Sequence, residues 1–420
     1  MSLLSRRTVL AGATAAITRA ARADDITLRF LFSQPVDTYD PAIAEFEKRN
    51  PGIRIARQQV PFDQLNAQIQ SRLGSQDSSL DVFGADEPRI PAFVHRHFLE
   101  DLSALLPELK SVADAASVDA TSWQGKLWAL PLWTSTQLLY YNKALLAKAG
   151  IAPPAADPKQ RLTWEALIPM ARKARQAGAK FGFSFDQVDR YYELQPLYES
   201  AGAGPGLTGP GLMTPAITTP KWVEVTQWYG SLYADGTAPR GVAYEQIPAL
   251  FAGGDIAFLV GGPWNLPVFE RQGAAAFGIA PMPYFAQGKP VTPTGSWSLG
   301  VNPYSRNKDA ALKFVRFLTL DKDGALLSTA KLPLPPANAA ASVPYYQHQT
   351  AAGGEATAHF TDIVQYELHN TAVGRPRTIG YVAFEEIMNK MFSDVRNGSE
   401  AASRLAAAQD SLKSAFSRIR

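Results

Sequence analysis

The chain has 420 residues, 46% of them hydrophobic and 19% charged, which is enough for two globular domains with sizeable cores and excludes wholesale disorder. Its formal charge of +3 is concentrated at the start: Arg6, Arg7, Arg19 and Arg22 stand in the first 23 residues without an acid or lysine, and the remainder balances 37 basic against 38 acidic residues. A near-neutral body without a Lys/Arg run argues against nucleic-acid or anionic-membrane binding, and the absence of cysteine removes disulfides, thiol nucleophiles and zinc-thiolate sites.

Residues 1–23 read as a targeting segment: Arg6-Arg7, a short apolar stretch from Val9 to Ile17, then Ala21-Arg22-Ala23 before Asp24. Paired arginines before a modest apolar region resemble the twin-arginine type of export signal. Cleavage after Ala23 and a soluble, periplasmic mature chain are expected.

The mature start alternates strand and helix. Strands are expected at Ile26 to Phe32, Ile53 to Val60 and Asp81 to Ala85, with a helix opening at Asp40-Pro41 and a second carrying Leu65, Ile69 and Leu73 as one apolar stripe. This βαβαβ order predicts a parallel sheet, and ligands of such sheets bind beyond the carboxyl ends of the strands. Those ends are Ser33-Gln34 and Asp86-Glu87. A second α/β unit opens at Leu130-Pro131 and Leu138 to Tyr141. Helices are expected near Trp164 to Gln176, Trp222 to Tyr233, Ala310 to Leu320, Ala383 to Phe392 and Glu400 to Phe416. Within "FAGGDIAFLVGGPW", residues 251–264, Ile256 to Val260 has the length of a buried strand, which Gly261, Gly262 and Pro263 stop, leaving Trp264 at its end.

Motifs for chemistry are weak. Gly204 to Gly209 fits G-x-G-x-x-G, but Pro205 and Pro210 spoil the turn and no strand precedes it. The five histidines have no metal-ligand spacing, and Gly295-Ser296-Trp297-Ser298 lacks the G-x-S-x-G spacing of a nucleophile elbow. No cofactor, metal or catalytic group is expected.

What recurs is an aromatic at a strand end or loop beside small residues: Trp133, Tyr191-Tyr192, Trp264 and Trp297. Taken singly, each is more often core than platform. As a set they suit a sugar, whose apolar C–H face stacks on rings while carboxylates, amides and arginines pair its hydroxyls.

The segments "WALPLWTSTQLLYYNKALLAKAGI", "LFAGGDIAFLVGGPW", "FGIAPMPY", "GSWSLGVNPYSRNKDAALKFVRFLT", "NPGIRI" and "SSLDVFGADE" resemble, in collinear order, the extracellular solute-binding proteins of ABC-type sugar importers, the group that contains maltose-binding protein. The resemblance implies a two-lobed α/β fold of the type II periplasmic-binding-protein class, with discontinuous lobes joined by a hinge around a ligand cleft. Lobe one would be 24–132 with 298–320, and lobe two 133–297 with 321–420. It also implies a monomer, a carbohydrate ligand, an ABC-type membrane permease as partner, and no catalysis. By that pattern Trp264 is a stacking ring and Asp86 with Glu87 the acidic contact. Ser135 stands where maltose-type members carry a carboxylate, which tells against maltodextrin. Tyr192, Trp297 and Tyr381 fall in segments that line the cleft. Arg375 and Arg377 either pair ligand groups or are solvated surface arginines. A polyol, glycerophosphodiester or sugar acid remains a rival ligand. An exported glycosidase is a rival activity, although the adjacency of Asp86 and Glu87 fits poorly with opposite faces of a sugar ring.

Overall fold

The computed structural model describes residues 26–271, 277–352 and 354–419, so the predicted export segment lies outside the described residues. Two separate sheets organise the chain. The first has five strands in the order Ile53–Gln59, Ile26–Phe32, Val82–Asp86, Trp297–Val301, Leu130–Trp133. The first three are parallel, as their βαβαβ order requires, and Trp297–Val301 runs antiparallel to both its neighbours. The helix Phe62–Gly74 buries Leu65, Ile69 and Leu73 against this sheet, while Asp40–Arg49 and Lys308–Thr319 contribute Phe46 and Phe314 to the same core.

The second sheet has four strands in the order Phe277–Pro281, Leu138–Asn142, Ile256–Gly261, Phe181–Phe185. Both its faces are covered. Leu139 and Tyr141 point into a core shared with the helices Trp164–Gln176, Pro220–Ala234, Tyr381–Arg396 and Ala401–Phe416. Leu138 and Tyr140 point to the other side, against Phe360, Ile363 and Val364. Coverage of both faces explains why 256–260 is apolar throughout rather than alternating.

Three extended segments cross between the lobes side by side. The Thr134 amide donates to the Pro335 carbonyl (3.0 Å), Ala337 to Leu132 (3.2 Å) and Gly295 to Ser135 (3.3 Å). The crossings correct three expected boundaries. Trp133 and Trp297, assigned above to lobe two, are paired residues of the five-stranded sheet. Leu320 does not end the return to lobe one either: the helix Lys322–Ser328 packs on Asp40–Arg49, and Leu334 lies in the first core. The polar turn after Leu320 that reads as an exit is a helix cap, in which Asp321 accepts from the Gly324 amide (2.9 Å).

Candidate functional site

Asp86 ends the third strand of the first sheet, and the Arg375 guanidinium of the second lobe grips its carboxylate with both terminal nitrogens, Nη1 at 2.8 Å from Oδ2. Arg375 also lies 3.5 Å from Glu385, on the second-lobe helix Tyr381–Arg396, and Glu385 pairs with Arg89 of the first lobe. Arg89 returns to Asp86 at 3.6 Å. Two arginines and two carboxylates thus close a ring, one of each from each lobe, with every member buried. Tyr381 belongs to it, donating to Glu385 Oε1 (3.0 Å) and accepting from Arg375 Nη1 (3.3 Å). Burial disfavours ionised Glu385, yet Arg89 and Arg375 together hold its carboxyl below the usual range.

Aromatic groups border this ring. The Arg375 guanidinium stands 5.1 Å over the Tyr192 ring, and Tyr192 lies 6.2 Å from Trp264 between centroids. Tyr192 lies in the first turn of the helix Tyr191–Ser200 rather than in a loop. Trp264, although carried by the second lobe, packs against the first-lobe core. At the cleft rim, Arg190 of the second lobe pairs with Asp63 of the first and is sandwiched between Phe62 (5.0 Å) and Tyr244 (4.6 Å). The lobes are therefore in direct contact, the closed arrangement of a hinged pair.

The glycine pair of 251–264 is explained by its neighbours. A Cβ on Gly261 would lie 2.8 Å from Asp186 Cβ and 2.9 Å from Asn265 Nδ2, and a Cβ on Gly262 would collide with the Trp264 ring, which folds back over that backbone. Trp264 Nε1 donates to Asp186 Oδ2 at 2.8 Å. Burial pushes the Asp186 carboxyl up to about 6, against the pull of Asn265, Trp264 and Arg190.

The remaining expected residues divide. Ser135 is buried, donating to the Gly295 carbonyl (2.9 Å) and standing 3.4 Å from the Tyr192 hydroxyl, so its hydroxyl fixes the crossing segments and Tyr192. Ser33 and Gln34 are half-buried beyond the first strand, with Gln34 accepting from Tyr39 (3.2 Å). Trp133 and Trp297, with centroids 6.3 Å apart, belong to the first core. Glu87 points away from its neighbour Asp86: Ser298 donates to it (3.0 Å), and burial, with Asp86 adding, raises it to about 8.

Glu87 also lines a cavity of about 440 Å³. Its wall includes Thr134, Thr294 and Ser296, whose hydroxyls lie 3.0–3.2 Å apart. Because successive residues of an extended segment face opposite ways, Thr134 turns from the side to which Ser135 sends its hydroxyl toward Tyr192. Arg375 lines the same cavity, which therefore adjoins the ring of Asp86, Arg375, Glu385 and Arg89. Sequence reasoning missed Arg89, Asp186, Arg190 and Glu385. Asp186 had a usable signal, since it follows the strand Phe181–Phe185 as Ser33 follows Ile26–Phe32; Glu385 stands one helical turn after Tyr381.

Among the described residues no group of three metal-ligating side chains occurs, and no helix is long and apolar enough to cross a membrane. Comparison with known proteins agrees with this architecture. The chain is 30% identical over 325 residues to a probable ABC transporter-binding protein of Deinococcus radiodurans, covering 73% of this chain and 75% of that one. It is 26% identical to a galactooligosaccharide-binding protein of Bacillus subtilis over 67% of this chain and 66% of the relative. Its fold matches the GacH receptor of Streptomyces glaucescens (TM-score 0.79, 23% identity, 93% of this chain and 98% of that chain). It equally matches an ABC substrate-binding protein of Listeria monocytogenes (TM-score 0.81, 24% identity, 93% and 99%). Residues 33–325 fit the family model described as bacterial extracellular solute-binding protein, and the chain belongs to that family.

Proposed function

We propose that this binding protein captures a neutral sugar or oligosaccharide outside the cytoplasm and delivers it to an ABC-type permease, without catalysing a reaction. The observation that carries this reading is the Tyr192–Trp264 pair beside a buried polar ring with no net charge. Aromatic faces suit the C–H face of a sugar. The arginines and carboxylates suit its hydroxyls, whereas an acid or phosphate would upset a balance already satisfied. Relatives support the class: the Bacillus subtilis proteins are named for galactooligosaccharide and maltodextrin, and the matched structures hold acarbose, cycloalternan, maltose and tagatose.

Within this reading Asp86, Arg375, Tyr381, Tyr192 and Trp264 face the ligand when the hinge opens, with Ser33 and Gln34 at the rim. Ser135, Trp133 and Trp297 support the walls, and Glu87 lines the adjoining cavity together with Arg375. Residues 1–23 direct export by the twin-arginine route and are removed after Ala23. The deciding experiment is thermal melting of protein freed of carried-over ligand, with and without mono-, di- and trisaccharides, polyols and sugar phosphates. Saturation at about 100 times the dissociation constant adds roughly 2.7 kcal/mol. A selective rise with a neutral carbohydrate is expected; a rise only with sugar phosphates or sugar acids overturns the neutral-sugar reading.

A further inference from the structure

Asp186 carries none of the ligand contacts proposed above, yet the geometry around it is highly determined. The parallel strands Phe181–Phe185 and Ile256–Gly261 end side by side, with the Asp186 amide donating to the Val260 carbonyl at 2.8 Å. From these adjacent ends the chain sends out Asp186 on one side and Trp264 on the other. Gly261 leaves room for the Asp186 side chain, and Gly262 for the Trp264 ring. Tyr140 donates to the Gly262 carbonyl at 3.1 Å and anchors that backbone.

We infer that Asp186 is a positioning residue: by accepting the Trp264 indole N–H it fixes the plane of the ring and so sets how well the ring stacks on a ligand. The ring is then held at two points, its face on the Gly262 backbone and its edge on Asp186 Oδ2. Without the second point the indole is free to rotate about its side-chain torsions. The inference uses the sugar-site reading only for its affinity readout.

Several other groups face Asp186. Glu193, from the helix Tyr191–Ser200, accepts from the Asp186 amide (3.3 Å) and is itself bonded by Gln137. Burial, with Asp186 adding, raises Glu193 well above the usual carboxyl range, and burial raises Asp186 to about 6. Asn265 and Arg190 favour the Asp186 anion, and the Tyr140 phenol stays neutral through burial. Protonation of Asp186 turns a charge-assisted bond to the indole into a weaker neutral one, which indole emission detects.

The test is tryptophan emission of the protein between pH 4.5 and 8, with Trp264→Phe subtracted to isolate the Trp264 signal. That signal titrates near pH 6 in the parent and is pH-independent in Asp186→Asn, which keeps an acceptor oxygen but no charge. For the sugar identified by melting, Asp186→Leu weakens binding about tenfold, whereas Asp186→Asn stays within about threefold. A Trp264 signal without titration in the parent, or one that still titrates in Asp186→Asn, overturns the inference. If Asp186→Leu does not fold, the Asn titration still decides. If no sugar binds the parent, the sugar reading fails while the emission readout judges the positioning role separately.

Discussion

Replacing Gly262 by alanine isolates the placement of one ring. Gly262 sits at φ −86°, ψ 166°, extended backbone that alanine adopts without strain, so the substitution acts only through its new methyl group. That methyl falls inside the Trp264 ring, and the ring must leave its seat. Departure breaks the 2.8 Å bond to Asp186, a hydrogen bond to a buried charged group worth about 1.5–3 kcal/mol. It also removes the stacking face opposite Tyr192, worth roughly 0.5–1.5 kcal/mol to a ligand. The expected result is a loss of stability of about 2 kcal/mol and a three- to tenfold weaker affinity, with red-shifted tryptophan emission. Calorimetric titration, urea unfolding and emission spectra read the three quantities. Gly254→Ala is the contrast: Gly254 has φ +84°, so alanine costs about 1 kcal/mol of backbone strain, but its neighbour within 4 Å is Asn142 rather than a cleft residue, and affinity should hold. Unchanged emission and affinity in Gly262→Ala would refute this account of the glycine pair.

Arg375→Met leaves the buried Asp86 and Glu385 to share Arg89 alone, one cation against two carboxylates, and urea unfolding should register a loss of roughly 3–5 kcal/mol. Glu87→Gln tests the raised carboxyl: the native state holds a proton that the unfolded chain loses near pH 4.5, so parental stability falls as pH rises from about 4.5 to about 8. The Gln variant should flatten that decline, matching the parent at pH 4 and exceeding it by at least about 1 kcal/mol at pH 8, as followed by melting temperature across pH. Arg190→Ala removes a rim contact whose partner Asp63 is half exposed, so stability should change by less than about 1 kcal/mol while stopped-flow ligand release quickens severalfold. For a neutral ligand, affinity should vary by less than about twofold between roughly 0.05 and 0.5 M salt; a steep fall would point to an anionic solute.

Much of the frame could be read before the structure. The strands expected at 26–32 and 256–260, the helix Trp164–Gln176 and the stripe Leu65, Ile69, Leu73 rest on local pattern and appear there, the second strand running one residue further, through Gly261. The carboxyl-end rule found Asp86 because it depends on sheet topology alone. It did not separate Asp86, which Arg375 grips, from Glu87, to which Ser298 donates, because those partners lie more than 200 residues away in the chain. Trp133 and Trp297 were grouped with Trp264 by residue type. Their pairing across a sheet, a contact between positions 164 residues apart, is what makes them core. Arg89 and Glu385 escaped for the same reason: each looks like an ordinary helical charge until the two lobes meet.

The ring of Asp86, Arg375, Glu385 and Arg89 also bears on how such a hinge stays poised. Each lobe brings one cation and one anion, so closure creates contacts of both signs without accumulating charge. The attraction gained on closing is opposed by stripping water from four ions, and for buried pairs the two terms run close to cancellation. Opening restores hydration, so the polar ring fixes the register of the closed state more than it drives closure. A ligand can then supply the deciding difference, because it need only bind the closed state better than the open one by a few kcal/mol. On the proposed reading that difference comes most directly from ring faces that both lobes cover together. Trp264 meets the requirement, being carried by the second lobe and packed on the core of the first. On the proposed sugar-site reading, its orientation is the feature that couples ligand contact to lobe closure.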